Sequence, residues 1–150
     1  MKNAFSIYLI LFSFLFFSSN SIFAQQESAD KYKEAINKTI LNYIEGWYEG
    51  NAERMAEALH PELTKKGVQT LPQTGGTLLS YASTTNMVEY TKAGFGKLPA
   101  EERGIKVEIL DVYNEIATAK AVSAKFIDYI HLVKYNGQWK ILNVIWEKNQ

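Results

Sequence analysis

Ile127-Asp128-Tyr129-Ile130-His131-Leu132-Val133-Lys134-Tyr135-Asn136-Gly137-Gln138-Trp139-Lys140-Ile141-Leu142-Asn143-Val144-Ile145-Trp146 reads as two strands joined by a tight turn. Asn136 and Gly137 both tolerate positive φ, and this pair is the strongest short-range signal for a two-residue hairpin. Such a turn sets the register, so Tyr135 should face Gln138, His131 should face Leu142 and Tyr129 should face Val144. One face would then carry Tyr129, His131, Val133, Leu142, Val144 and Trp146. The other would carry Asp128, Ile130, Leu132, Trp139, Ile141 and Ile145. Both faces are largely apolar, so both should be covered, one by helices and one by a subunit partner. The first is assigned to the helices and a cavity, the second to a homodimer contact.

Upstream, Ile105 to Tyr113 and Ile116 to Lys125 read as two further strands, making an antiparallel meander with Ile127 to Tyr135 and Gln138 to Glu147. Helices come first. From Lys31 to Glu49 the apolar residues Tyr32, Ala35, Ile36, Ile40, Tyr43, Ile44 and Trp47 step by three and four, one face of a helix. Lys31, Lys38, Asn42 and Glu45 take the opposite face. Gly50 should end this helix, and Asn51 should cap a shorter one from Ala52 to Leu59, with Met55, Ala56 and Leu59 buried and Pro61 preventing its continuation. Leu63 to Leu71 suggests a strand interrupted by a bulge near Gly67, and Thr77 to Ala82 a short strand. The Ser83-Thr84-Thr85-Asn86 cluster should cap a third helix, about Met87 to Ala93. The expected fold class is α+β, a curved antiparallel sheet packed on N-terminal helices.

Composition narrows function by subtraction. The chain of 150 residues has 16 basic and 16 acidic side chains, a balance that argues against non-specific nucleic-acid or membrane-surface binding. Lys65-Lys66, the one basic pair, reads as a solvated strand edge. With no cysteine, thiolate catalysis, iron–sulfur clusters and cysteine-bound zinc are excluded. Residues 1–24 have the form of a secretory signal: Lys2, an apolar run from Phe5 to Phe17, a polar break, then Ile22-Phe23-Ala24 before Gln25. The run is shorter than the roughly 20 apolar residues that span a bilayer. The expectation is cleavage after Ala24 and an exported domain, periplasmic or extracellular, over residues 25–150. The mature core would then rest on Tyr, Trp, Ile, Val and Leu, since Phe5, Phe12, Phe14, Phe16, Phe17 and Phe23 leave with the signal.

The order of helix, Gly50-Asn51 turn, short helix ending Leu59-His60-Pro61, third helix and a meander closing on Asn136-Gly137-Gln138-Trp139-Lys140-Ile141 resembles the nuclear transport factor 2-like superfamily, also called cystatin-like. That group includes ketosteroid isomerase, scytalone dehydratase and the SnoaL-like polyketide cyclases. The stretch Asp128 to Ile141 is most similar to the domain group labelled "putative lumazine-binding". The resemblance implies a bent sheet forming a cone whose mouth accepts a small hydrophobic or aromatic molecule. Carried over from ketosteroid isomerase by position, the tyrosine that donates to the substrate oxygen falls on Tyr43 and the second oxyanion donor on His131. The general base falls on Gly67. A glycine cannot carry a proton between carbons, so the resemblance does not bring isomerase chemistry with it.

The candidate site therefore comprises Tyr43 and His131 as polar anchors, with Trp47, Tyr129 and Trp146 as an aromatic lining; aromatics at this spacing are equally the material of a core. If the protein is an enzyme of the cyclase, dehydratase or isomerase kind, His131 would be its acid/base and Tyr43 its carbonyl-polarising donor. His60 reads as a cap on the last carbonyls of the second helix. Asp128 lies opposite His131 and reads as a structural anchor needing donors from a neighbouring element. His60 and His131 lack the spacing of a helical metal site, and no cofactor or metal is implied. Three readings follow: an exported binding domain for a small aromatic molecule, an enzyme using His131, or a dimerisation or protein-interaction module.

Overall fold

A computed structural model describes residues 31–150; the signal reading of residues 1–24 lies outside them. Helix α1 runs through residues 31–49 and is stopped by Gly50, whose φ of 71° is open to a glycine without steric cost. The Asn51 side chain accepts from Arg54 N at 3.1 Å, starting α2 (Ala52–Ala58). The chain then passes directly into β1 (Leu59–Thr70), β2 (Thr77–Ala82) and α3 (Thr84–Lys92). Ser83 and Asn86 cap α3 reciprocally, side chain to backbone, in a capping box. A short 3-10 turn, Ala100–Glu102, leads to β3 (Lys106–Tyr113), β4 (Ile116–Val122), β5 (Phe126–Tyr135) and β6 (Gln138–Lys148). The strands form one six-stranded sheet in the order β2-β1-β6-β5-β4-β3. All pairs are antiparallel except β1 with β6. This is the expected α+β class with a curved sheet on helices. No helix among the described residues is long and apolar enough to cross a membrane.

Register shifts bend the sheet. They fall between Leu59 and Thr64 in β1, between Ile109 and Asp111 in β3, and opposite the His131–Leu132 step of β5, where Leu142 of β6 is the extra residue. A bulge sharpens local twist and lets a sheet wrap around helices instead of lying flat. The interruption expected at Gly67 is not there: β1 is continuous through it, and the irregularity sits around Pro61 instead. The 135–138 turn has the expected hairpin geometry, with φ of 49° at Asn136 and 80° at Gly137. Tyr135 pairs with Gln138 as expected, but the Leu142 bulge then puts His131 opposite Asn143 and Tyr129 opposite Ile145.

Between helices and sheet lies the core, with Ile36, Ile40, Tyr43, Ile44 and Tyr48 of α1 against Ile130, Leu132, Ile141 and Val144. The helical face is displaced slightly from the one read in the sequence. Ala35 and Ala56 are exposed, Ala58 is buried, and Asn42 is buried because it accepts from Arg54 Nε at 3.2 Å. Tyr48, only 1% exposed, donates to Ser123 Oγ at 2.9 Å and ties the end of α1 to the turn between β4 and β5. His60 caps no helix. It stands in β1, its Nδ1 accepting from Glu62 N at 3.1 Å and its ring edge-on to Tyr135 at 4.4 Å.

Gly67 has a packing role that its sequence position did not disclose. A Cβ built there would lie 2.4 Å from two ring carbons of Trp146 and 2.6 Å from Ser80 Oγ. The flat backbone of β1 at this point is what allows the Trp146 ring to lie across it. Gly67→Ala should therefore destabilise the fold by about 1–3 kcal/mol through overpacking, measured by urea denaturation, and shortening Trp146 to leucine in the same chain should recover most of the loss. An unchanged midpoint for the single variant would show that the ring can move aside.

Candidate functional site

The concave side of the sheet and the helices enclose a cavity of about 280 Å3. Aromatic rings dominate its wall: Tyr43, Trp47 and Tyr48 from α1, Phe126 and Trp146 from the sheet, Tyr81 and Tyr90 from β2 and α3. Phe126 stands edge-on to Trp146 at 5.1 Å and to Trp47 at 6.5 Å. Tyr81 and Tyr90 are 60% and 40% exposed and lie where the cavity meets solvent. Tyr90 also stacks on Phe95 at 5.5 Å. Among the described residues, Trp47 Nε1 is buried without a hydrogen-bond partner. Its indole lies against Gly96, where a Cβ would come within 2.2 Å of that nitrogen.

Set into this aromatic wall is one charged cluster. Lys65 from β1, Asp128 from β5 and Tyr43 from α1 meet at the cavity surface. Lys65 Nζ donates to Asp128 Oδ1 at 2.8 Å and also to the Tyr43 hydroxyl, which in turn donates to Asp128 Oδ1 at 3.1 Å. The side chains of Lys65 and Asp128 are 10% and 5% exposed. The ammonium also lies 5.2 Å from the Trp146 ring centroid and 5.1 Å from that of Tyr43, within cation–π range. Burial pushes the Lys65 amine below the ordinary lysine value of 10.5, against the opposing pull of Asp128. Burial and the adjacent Asp128 carboxylate hold the Tyr43 phenol well above its ordinary 10.0. Tyr43 is thus a neutral donor across the physiological range.

Tyr43, Trp47 and Trp146 are brought together in this cavity, but His131 and Tyr129 are not. Both face outward from β5, and Tyr129 is half exposed. The expectation that His131 shares a hollow with Tyr43 is corrected. The physical reason is twofold: Ile130, Leu132, Trp139 and Ile141 occupy the helix-facing side, and the Leu142 bulge turns Val144 and Trp146 to join them. Ile145 is correspondingly turned out. His131 therefore has no access to a substrate in the cavity. The partner that Tyr43 meets is Asp128, from the face that had been assigned to a dimer contact.

Lys65 was the functional candidate the sequence reading missed. It is not on a solvated edge, because β1 lies between β2 and β6. A usable signal was present: alternation in a strand puts Lys65 on the same side as Leu63 and Gly67, and Lys66 on the other. All three of the former are buried and Lys66 is exposed. Among the described residues no cluster of three His, Asp or Glu side chains could hold a metal ion.

The sequence matches the family described as "Putative lumazine-binding" over residues 31–147, and the chain belongs to that family. Solved structures share the fold. A nuclear transport factor 2-like protein of unknown function from Shewanella baltica superposes with a TM-score of 0.64 at 20% identity, covering 80% of this chain and 95% of that one. One from Silicibacter pomeroyi gives 0.62 at 14% identity, covering 80% and 98%. A ketosteroid isomerase-like protein from Erwinia carotovora atroseptica gives 0.53 at 12% identity, covering 79% and 97%. At these identities the likeness establishes the fold alone. No curated protein is significantly similar in sequence.

The cluster has a pH signature. A phenol raised in the folded state contributes stability that is fully present below its unfolded value and is lost as pH rises above it. Tyr43→Phe should therefore be less stable than the unmodified protein near neutral pH, and the gap should narrow as pH climbs beyond 10.0. Denaturation midpoints across that range measure it; a constant gap would show that the hydroxyl titrates like an exposed one.

Proposed function

We propose that this protein is an exported binding domain for a small, flat, largely apolar molecule that presents a hydrogen-bonding edge to Lys65 and Asp128. The observation that carries this is the buried Tyr43–Lys65–Asp128 cluster exposed at one place in an otherwise aromatic cavity. An ammonium has three N–H groups. Two are taken by Asp128 and Tyr43, leaving one for a ligand acceptor. Asp128 Oδ2 accepts from no described residue and can take a ligand donor. A carbonyl beside an N–H or O–H satisfies both at once. The lactam edge of a fused-ring compound such as lumazine has that pattern, which is where the family's description and the geometry agree. Cavity size suits a small compound of about two rings, since 280 Å3 lies just below the roughly 300–1,000 Å3 that ligand pockets occupy. Lys65 and Asp128 neutralise each other, so a neutral ligand or a weak acid suits the site better than a strong cation.

An enzyme built on His131 has no support, since that side chain faces away from the cavity. The outer sheet face, with Tyr113, Ile116, Tyr129, Leu142 and Ile145 exposed, is read as a self-association surface in the same proposal. Lumazine and related two-ring lactams should raise the melting temperature saturably and quench the emission of Trp47 and Trp146, since a ligand that prefers the native state stabilises it. Lys65→Met should weaken that binding by roughly tenfold or more, a charged hydrogen bond being worth about 1.5–3 kcal/mol. Saturating compound with neither a thermal shift nor a change in emission would remove the pocket reading, and a monomer by light scattering would remove the self-association.

A further inference from the structure

We propose that Lys65 is a nucleophilic amine which captures aldehydes or ketones bound in the aromatic cavity as a Schiff base, with Tyr43 as proton relay and Asp128 as acid and counter-ion. The inference rests on reading the cavity as a ligand pocket, and adds a covalent step to it.

The geometry supplies each part. Lys65 lines the cavity, its side chain mostly shielded from bulk water, with Nζ over the Tyr43 and Trp146 rings. Such surroundings favour the uncharged amine, the form that attacks carbonyls, and burial does hold this amine below the ordinary lysine range. The Tyr43 hydroxyl and Asp128 Oδ1 each contact that nitrogen and each other, so protons can pass around the cluster without solvent. Lys66, the neighbouring residue, points out of the sheet and has none of these partners.

The Lys65 ammonium gives one proton to the Asp128 carboxylate, and the nitrogen lone pair adds to the carbonyl carbon. The π pair moves to the carbonyl oxygen, which takes a proton from Tyr43, and Tyr43 recovers one from the new N–C nitrogen. The product is a neutral carbinolamine. Asp128 then returns its proton to the carbinolamine hydroxyl; water departs as the nitrogen lone pair forms the C=N bond. An ammonium and a carbonyl have become a protonated imine and water, with Asp128 ionised again as its counter-ion. No oxidant or reductant is consumed. Charge in the cavity is the same before and after, which a low-dielectric site requires if the adduct is not to be penalised.

A planar aldehyde of two rings, 2-naphthaldehyde, is a suitable probe, and 2-naphthalenemethanol is its unreactive counterpart. The unmodified protein is incubated with the aldehyde and cyanoborohydride, which fixes an imine as a stable amine, and labelled lysines are located by peptide mass spectrometry. Lys65 should carry the label at least tenfold faster than Lys66 at neutral pH, and the alcohol should suppress labelling at Lys65 while leaving Lys66 unaffected. The advantage of Lys65 should shrink as pH rises towards the ordinary lysine value, where surface amines also lose their protons. If the alcohol shifts the melting temperature but label spreads over surface lysines without preference for Lys65, covalent capture is overturned and the binding pocket stands. With neither a shift nor a preference, both are overturned.

Discussion

One extra residue in β6 fixes which side chains of that strand face the helices and the cavity. Strict two-residue alternation from the Asn136-Gly137 turn would leave Val144 and Trp146 on the side away from Ile141. The bulge at Leu142 turns them back, so that Trp139, Ile141, Val144 and Trp146 all face the helices. Trp146 then reaches across to β1, where Gly67 has no side chain to obstruct it, and the Lys65 ammonium lies against the ring. Without the bulge the indole would be in solvent, and the cavity would lose the wall that shields its charged cluster. A local backbone irregularity thus fixes the position of an amine on a different strand.

A buried ion pair is seldom retained for stability, because removing two charges from water costs several kcal/mol per ion and a well-packed apolar substitute is often as good. The pair here is held with care nonetheless. Asp128 receives both the ammonium and the phenol, Tyr43 both accepts and donates, and two aromatic faces receive the cation. The members come from α1, β1 and β5, elements far apart in the chain, so a cluster of this kind cannot arise from local propensity. It is a tertiary arrangement presented to a cavity.

Much of the fold was legible because its signals are local. The Gly50-Asn51 break, the Ser83 capping cluster and the Asn136-Gly137 turn are short-range chemistry, and each appears where the residues place it. The site was less legible, for a physical reason that applies to sheets in general. Side-chain direction is a parity, and a single inserted residue reverses it for everything beyond. Leu142 carries no sequence mark of a bulge, being neither glycine nor proline, so strict alternation groups Val144 and Trp146 with His131 instead of with Ile130 and Leu132. Lys65 is a different case. Its parity with Leu63 was readable, and what concealed it was the expectation that adjacent lysines belong in water. A strand sends adjacent lysines to opposite sides, and the inner one meets Asp128, a partner that strict alternation had placed on the other face.

The same residues differ from those that the resemblance to ketosteroid isomerase implies. At the position that the resemblance gives to the general base, Gly67 has no side chain, and the Trp146 indole takes the space that a Cβ would need. Two residues earlier on the same face stands an amine that the cavity desolvates. A carboxylate in an apolar site gathers and returns a carbon-bound proton; an amine in such a site bonds to carbon through its own lone pair. Tyr43 suits either arrangement, since a neutral phenol polarises a carbonyl whatever then attacks it. Gly67 leaves this face of β1 without a side chain for proton transfer, and Lys65, two residues earlier, meets the Tyr43 phenol at the cavity wall.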